Sequence, residues 1–190
     1  ISGNYVSRHF HVYGSLTLTD LILKNGKPSD GFGGGALLVL GSSTSTPHVH
    51  LVRSIIRTCQ TSHRAQNGGA IYLVAAVLLL EGSTFDSNLG LRGGAVMVIK
   101  GGKVKLKEGT ISYVINNQAT VNGGGFSLEQ GSLDITGKGT QLVVDGNTAY
   151  GLGGGLHAFE STVTVTSGAV LKIINNKATL HGGGINLQNS

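Results

Sequence analysis

Gly93-Gly94-Ala95-Val96-Met97-Val98 and, thirty residues on, Gly123-Gly124-Gly125-Phe126-Ser127-Leu128 decide the architecture of this chain. The same pattern opens at Gly34-Gly35-Ala36-Leu37, Gly68-Gly69-Ala70-Ile71, Gly153-Gly154-Gly155-Leu156 and Gly182-Gly183-Gly184-Ile185. After each Gly pair the first large residue is Leu37, Ile71, Val96, Phe126, Leu156 or Ile185, and two further on stands Val39, Leu73, Val98, Leu128, Ala158 or Leu187. Both positions are apolar in every copy. The position between them is mixed: Leu38, Tyr72, Met97, Ser127, His157, Asn186. A two-residue period with one constant apolar face is the signature of a strand buried on one side.

Working outward, a second alternating strand follows each motif, as in Val77 and Leu79 or Val104 and Leu106, and a third is expected over Gln141 to Asp145 and Val170 to Ile174. Each third strand leads into an apolar-x-x-Asn slot, at Asn25, Asn88, Asn117, Asn147 and Asn176, with Cys59 in the second copy. The slots lie 34, 29, 29, 30 and 29 residues apart. Three short strands per repeat, punctuated by Gly and Asn, describe one coil of a parallel β-helix, whose apolar face is buried only when coils stack. The expected fold is all-β: a right-handed, single-stranded parallel β-helix of about six coils, a rod of roughly 29 Å at ~4.8 Å per coil. The chain 1–190 reads as one β-helix segment of a longer chain, with repeats near 1–33, 34–67, 68–92, 93–122, 123–152 and 153–190. The Asn column is expected to be a structural turn ladder, because Asn tolerates the left-handed backbone of a sharp turn and can hydrogen-bond to its copy in the next coil.

Composition agrees. Gly makes up 32 of 190 residues and Pro only 2, which excludes collagen and Pro-rich disorder. Charged residues are 12%, the net charge is +5, and no dense basic footprint with interleaved aromatics appears, so nucleic acid is not an expected partner. The apolar run Ala70 to Leu80 is too short to cross a bilayer as a helix, so direct membrane insertion is not expected. Cys59 is the single cysteine, which leaves no disulfide within the chain; an exposed thiol there would link two rods.

The paired motifs Gly68-Gly69-Ala70-Ile71 and Phe85-Asp86-Ser87-Asn88 resemble the repeats of the chlamydial polymorphic outer membrane proteins, marked by Gly-Gly-Ala-aliphatic and Phe-x-x-Asn. The resemblance runs from about Ile22 to Leu187; Phe85 alone carries the aromatic of the second motif. It implies an exported autotransporter passenger, a β-helix used for adhesion.

Function is expected on the outward columns. Leu38, Leu40, Tyr72, Val74, Met97 and Ile99 form a ladder of large residues on what strand parity makes the solvent face, a binding or packing interface. The alternative is cover by a loop of this chain, with Gly41 to Pro47 as the candidate. Lys103, Lys105 and Lys107 also point outward and could hold an anionic polymer. Ser127, His157 and Asn186, flanked by Glu129, contain the residue types of a nucleophile–base set, but on a flat face without an oxyanion hole they read as a polar ladder. His9 with His11 and His48 with His50 place imidazoles in pairs without a third ligand. No catalytic residue, metal or cofactor is therefore expected. The expected function is a non-enzymatic extracellular or cell-surface rod of adhesin or passenger type. Its expected partners are a protein, further copies of itself, or glycans. A structural subunit of a secreted fibre is the alternative, and a polysaccharide-acting enzyme the third reading.

Overall fold

The computed structural model describes residues 1–61 and 66–190. The described chain is a β-solenoid of about six coils, built from parallel sheets that run the length of the rod, and no helix occurs among the described residues. The first sheet collects the strands that follow the glycine motifs: Phe10–Val12, Leu37–Leu40, Ile71–Val74, Val96–Ile99, Phe126–Glu129, Leu156–Phe159 and Ile185–Gln188. The second collects Leu16–Thr19, His48–Val52, Val77–Glu81, Lys103–Leu106, Ser132–Thr136 and Thr162–Thr166. The third collects Ile22–Lys24, Ile55–Arg57, Thr84–Asp86, Ile111–Ile115, Gln141–Asp145 and Val170–Ile174. A short fourth sheet, which the strand pattern does not announce, holds Leu89–Gly90, Gln118–Ala119, Thr148–Ala149 and Lys177–Ala178. We number the coils from the first-sheet strand that opens each, so that coil one starts at Phe10 and coil six at Leu156.

Register is continuous from coil to coil. Leu37 faces Ile71, Ile71 faces Val96, and Val96 faces Phe126, so the two constant apolar columns stack inward. In the second sheet the inward columns include Val49, Leu78, Val104 and Leu133, and in the third Ile56, Phe85, Val114 and Val144. These side chains form one core, fully buried from coil two through coil five. Burial removes each from water at about 25 cal/mol per Å², and the stack shares that gain between neighbouring coils.

Corners are made where the backbone turns left-handed. The coil leaves the first sheet at Ala75, Lys100, Gln130 and Glu160, and leaves the third at Asn25, Thr58, Ser87, Asn116, Gly146 and Asn175, all at positive φ. This corrects the expected turn ladder. The left-handed residue precedes the Asn column, and the column itself turns inward. Ile22 pairs with Ile55, so Asn25 aligns with Thr58, and Gly26, not Asn25, stacks below Cys59. Asn25 is a corner residue whose Oδ1 accepts the Thr58 hydroxyl at 2.7 Å.

The buried column is therefore Gly26, Cys59, Asn88, Asn117, Asn147 and Asn176. The amide N–H of each of residues 59, 88, 117 and 147 donates to the Asn Oδ1 of the next coil, at 2.9 to 3.0 Å. Each Asn Nδ2 donates to a carbonyl one coil back, as Asn117 does to Phe85. A second buried polar ladder escaped the strand pattern. Ser54, Ser83 and Ser112 stack across the third sheet, with Ser54 N–H donating to Ser83 Oγ at 3.1 Å and Ser83 N–H to Ser112 Oγ at 3.2 Å. Their spacing of 29 residues, equal to that of Asn88 and Asn117, was the signal that could have found it.

Candidate functional site

The outward ladder of the first sheet divides in two. Leu38 and Met97 have no exposed surface, which removes them from any accessible interface. Their cover comes from this chain, but not from Gly41–Pro47: residues 42–46 are exposed and bond among themselves. The segment entering each coil doubles back instead. Gly93, at φ 63°, lies so close over the outer side of its own strand that a Cβ there would meet the Val96 carbonyl and the Met97 nitrogen. Gly34, Gly68, Gly123, Gly153 and Gly182 repeat the arrangement at positive φ, so the segment doubles back over the middle column from coil two onward, whereas His11 of coil one is exposed.

The next outward column stays partly open: Leu40, Val74, Ile99, Glu129 and Phe159, aligned through the sheet register. Phe159 belongs to it and was not singled out from the sequence. Around the corner, Ala75, Val77 and Leu79 of coil three are also partly exposed, which corrects the parity expected there: Leu78 and Leu80, aligned with Val104 and Leu106, are the buried pair, and Val77 and Leu79 point outward. Leu40, Val74, Ala75, Val77, Leu79 and Ile99 thus form a continuous aliphatic face over the edge between the first two sheets. It is interrupted at Glu129, which forms an ion pair with Arg92, Nη1 to Oε1 3.4 Å.

Tyr72, Ser127 and His157 sit in the roofed column beside that ion pair. Burial pushes the Tyr72 phenol up and the His157 imidazole down. His157 Nδ1 pairs with Asn186 Oδ1 at 3.1 Å, which partly opposes the shift. Ser127 and His157 are neighbours in register, but the buried Ser127 hydroxyl has no hydrogen-bond partner, so the imidazole does not reach it as a base. The arrangement is a polar seam beneath the roof.

Lys103, Lys105 and Lys107 are exposed on the second sheet as the alternation requires. Lys105 faces Leu79 on one side and Asp134 on the other, so a carboxylate stands beside it in register. The histidine pairs do not converge. His11 stacks against Tyr13 with ring centroids 4.4 Å apart, and His50 Nε2 meets Glu81 Oε2 at 3.0 Å. No three His, Cys, Asp or Glu side chains gather at one point among the described residues. Cys59 is free and buried, its thiol pushed up to about 11 by burial, so the link between rods expected of an exposed thiol is not available to it.

Fold and ladders together define a parallel β-solenoid of about six coils. No protein-family model matches the chain, and no curated protein or solved structure matches it either.

Proposed function

We propose that this chain is a non-enzymatic rod of the cell surface or extracellular space, of adhesin or passenger type, which binds a protein partner through a lateral apolar face. The observation that carries the reading is the continuity of Leu40, Val74, Ala75, Val77, Leu79 and Ile99 around one corner of coils two to four. Aliphatic side chains at consecutive outward positions on a rigid sheet are a contact surface. The resemblance to passenger repeats supports the location. The test is binding of labelled rod to cultured epithelial cells, compared with the double variant Val77→Lys and Leu79→Lys. Both side chains are partly exposed, so circular dichroism should be unchanged while binding falls at least tenfold, the equivalent of about 1.4 kcal/mol. Equal binding by a folded double variant overturns the reading.

A structural subunit of a secreted fibre is the alternative reading, and electron microscopy of native material separates the two, as short surface-borne rods or as long uniform filaments.

A further inference from the structure

A different side of the rod carries a groove that the apolar face does not explain. Two adjoining cavities, of about 450 and 350 Å³, lie along the short fourth sheet and share Leu89 and Gln118. That size is typical of small-ligand sites. The floor is the column Gln60, Leu89, Gln118 and Thr148, in register from coil two to coil five, so the groove runs parallel to the rod axis. Three coil steps give it a length of about 14 Å.

Its ends are aromatic. Tyr150 is 57% exposed and lines one cavity; Tyr5, 47% exposed, lines the other. Tyr5 is held there because its N–H donates to the Asn25 carbonyl at 2.7 Å. Gln118 Nε2 donates to the Tyr150 hydroxyl at 3.2 Å, which ties the carboxamide to the ring across the two coils.

From this lining we infer that the groove binds an uncharged oligosaccharide lying along the rod. Three observations select that chemistry. Every described residue that lines either cavity is uncharged, so the described lining offers hydrogen bonds and ring faces rather than counter-charge for a nucleic acid or an acidic polysaccharide. The backbone here is spent on neighbouring coils: Leu89 N–H donates to Cys59, Gln118 to Asn88, Thr120 to Gly90 and Thr148 to Asn117. An extended peptide would find no main-chain partners. What remains is two phenol rings, two carboxamides and the hydroxyl oxygens of Thr58 and Ser87, which give their protons to Asn25 and Asp86 and so offer lone pairs as acceptors. Phenol rings stack on the C–H faces of sugars, and carboxamides both donate to and accept from hydroxyls.

The experiment is calorimetric titration of the chain with cello-, malto-, manno- and chitohexaose, with a heparin hexasaccharide and hexaalanine as controls. At least one neutral hexasaccharide should bind with an affinity that salt does not change. Tyr150→Ala and Gln118→Ala should each weaken it about tenfold, and Lys105→Ala should not. Tyr150 is exposed, so its variant decides the matter even if Gln118→Ala is unstable. Val77→Lys with Leu79→Lys should leave sugar binding intact, so failure of the apolar-face reading and failure of this one are distinguishable. No binding at millimolar sugar, binding indifferent to Tyr150→Ala, or binding confined to heparin or to the peptide overturns the inference.

Discussion

Asn117 makes hydrogen bonds to three coils with one carboxamide. Its Nδ2 reaches the Phe85 carbonyl at 3.1 Å and Asn147 Oδ1 at 3.0 Å, while its Oδ1 accepts both the N–H and the Nδ2 of Asn88. A buried amide left without its acceptor costs about 1–3 kcal/mol. Asn117→Ala strands several such groups and should lower unfolding free energy by about 3 kcal/mol in urea titration. Cys59 is the natural counter-test. Its Sγ accepts the Gly26 N–H at 3.3 Å but offers no strong donor to the coil behind. Cys59→Asn supplies that donor, in line with the Leu23 carbonyl, and should raise stability by about 1 kcal/mol. If Asn117→Ala proves neutral, the ladder is decoration.

At the scale of the element, the glycines divide by the reason they are needed. Gly124 has an ordinary φ, and what excludes a side chain is the approach of another coil: a Cβ would strike the Gly154 carbonyl and lie 2.6 Å from the Thr148 carbonyl carbon. Gly101 is the converse, an exposed turn at φ 76° with nothing within 4 Å. Gly124→Ala must push two coils apart and should cost about 3 kcal/mol or more. Gly101→Ala meets only the left-handed strain of about 1–2 kcal/mol. The order of the two melting temperatures checks the distinction. Sequence spacing located Gly124 in a turn, yet the steric reason for it exists only once coils are stacked.

For the whole molecule, two histidines tie stability to pH. His157 lies beside Tyr72, Arg92 and Glu129, and burial holds both it and His9 below the ordinary value of 6.5. The unfolded chain therefore takes up these protons at a higher pH than the folded rod. Their contribution to stability is present above about 6.5 and is lost as pH falls from there toward the lowered values. Melting temperature should drop as pH falls from neutral through the ordinary histidine value of 6.5 and below, and the drop should shrink in His157→Asn. An equal drop in the variant would place the dependence elsewhere. The same contrast of scales separates what could be read early from what could not. The alternation at Leu37 and Val39 and the thirty-residue spacing of the glycine motifs by themselves determined the β-solenoid, its number of coils and the inward columns of the first sheet, whereas the all-apolar run Val77 to Leu80 has no alternation to read, and only stacking on Val104 and Leu106 showed that Leu78 and Leu80 face the core. Strand parity and backbone tolerance are local properties, repeated often enough to add up. Parity could say that Leu38 and Met97 point outward, but not that the entering segment roofs them, nor that Gly26 rather than Asn25 meets Cys59. The groove from Tyr5 to Tyr150 joins residues from separate coils that no local pattern links. Only stacking brought them together, because roof, register and groove depend on distances between coils, which a one-dimensional pattern does not contain.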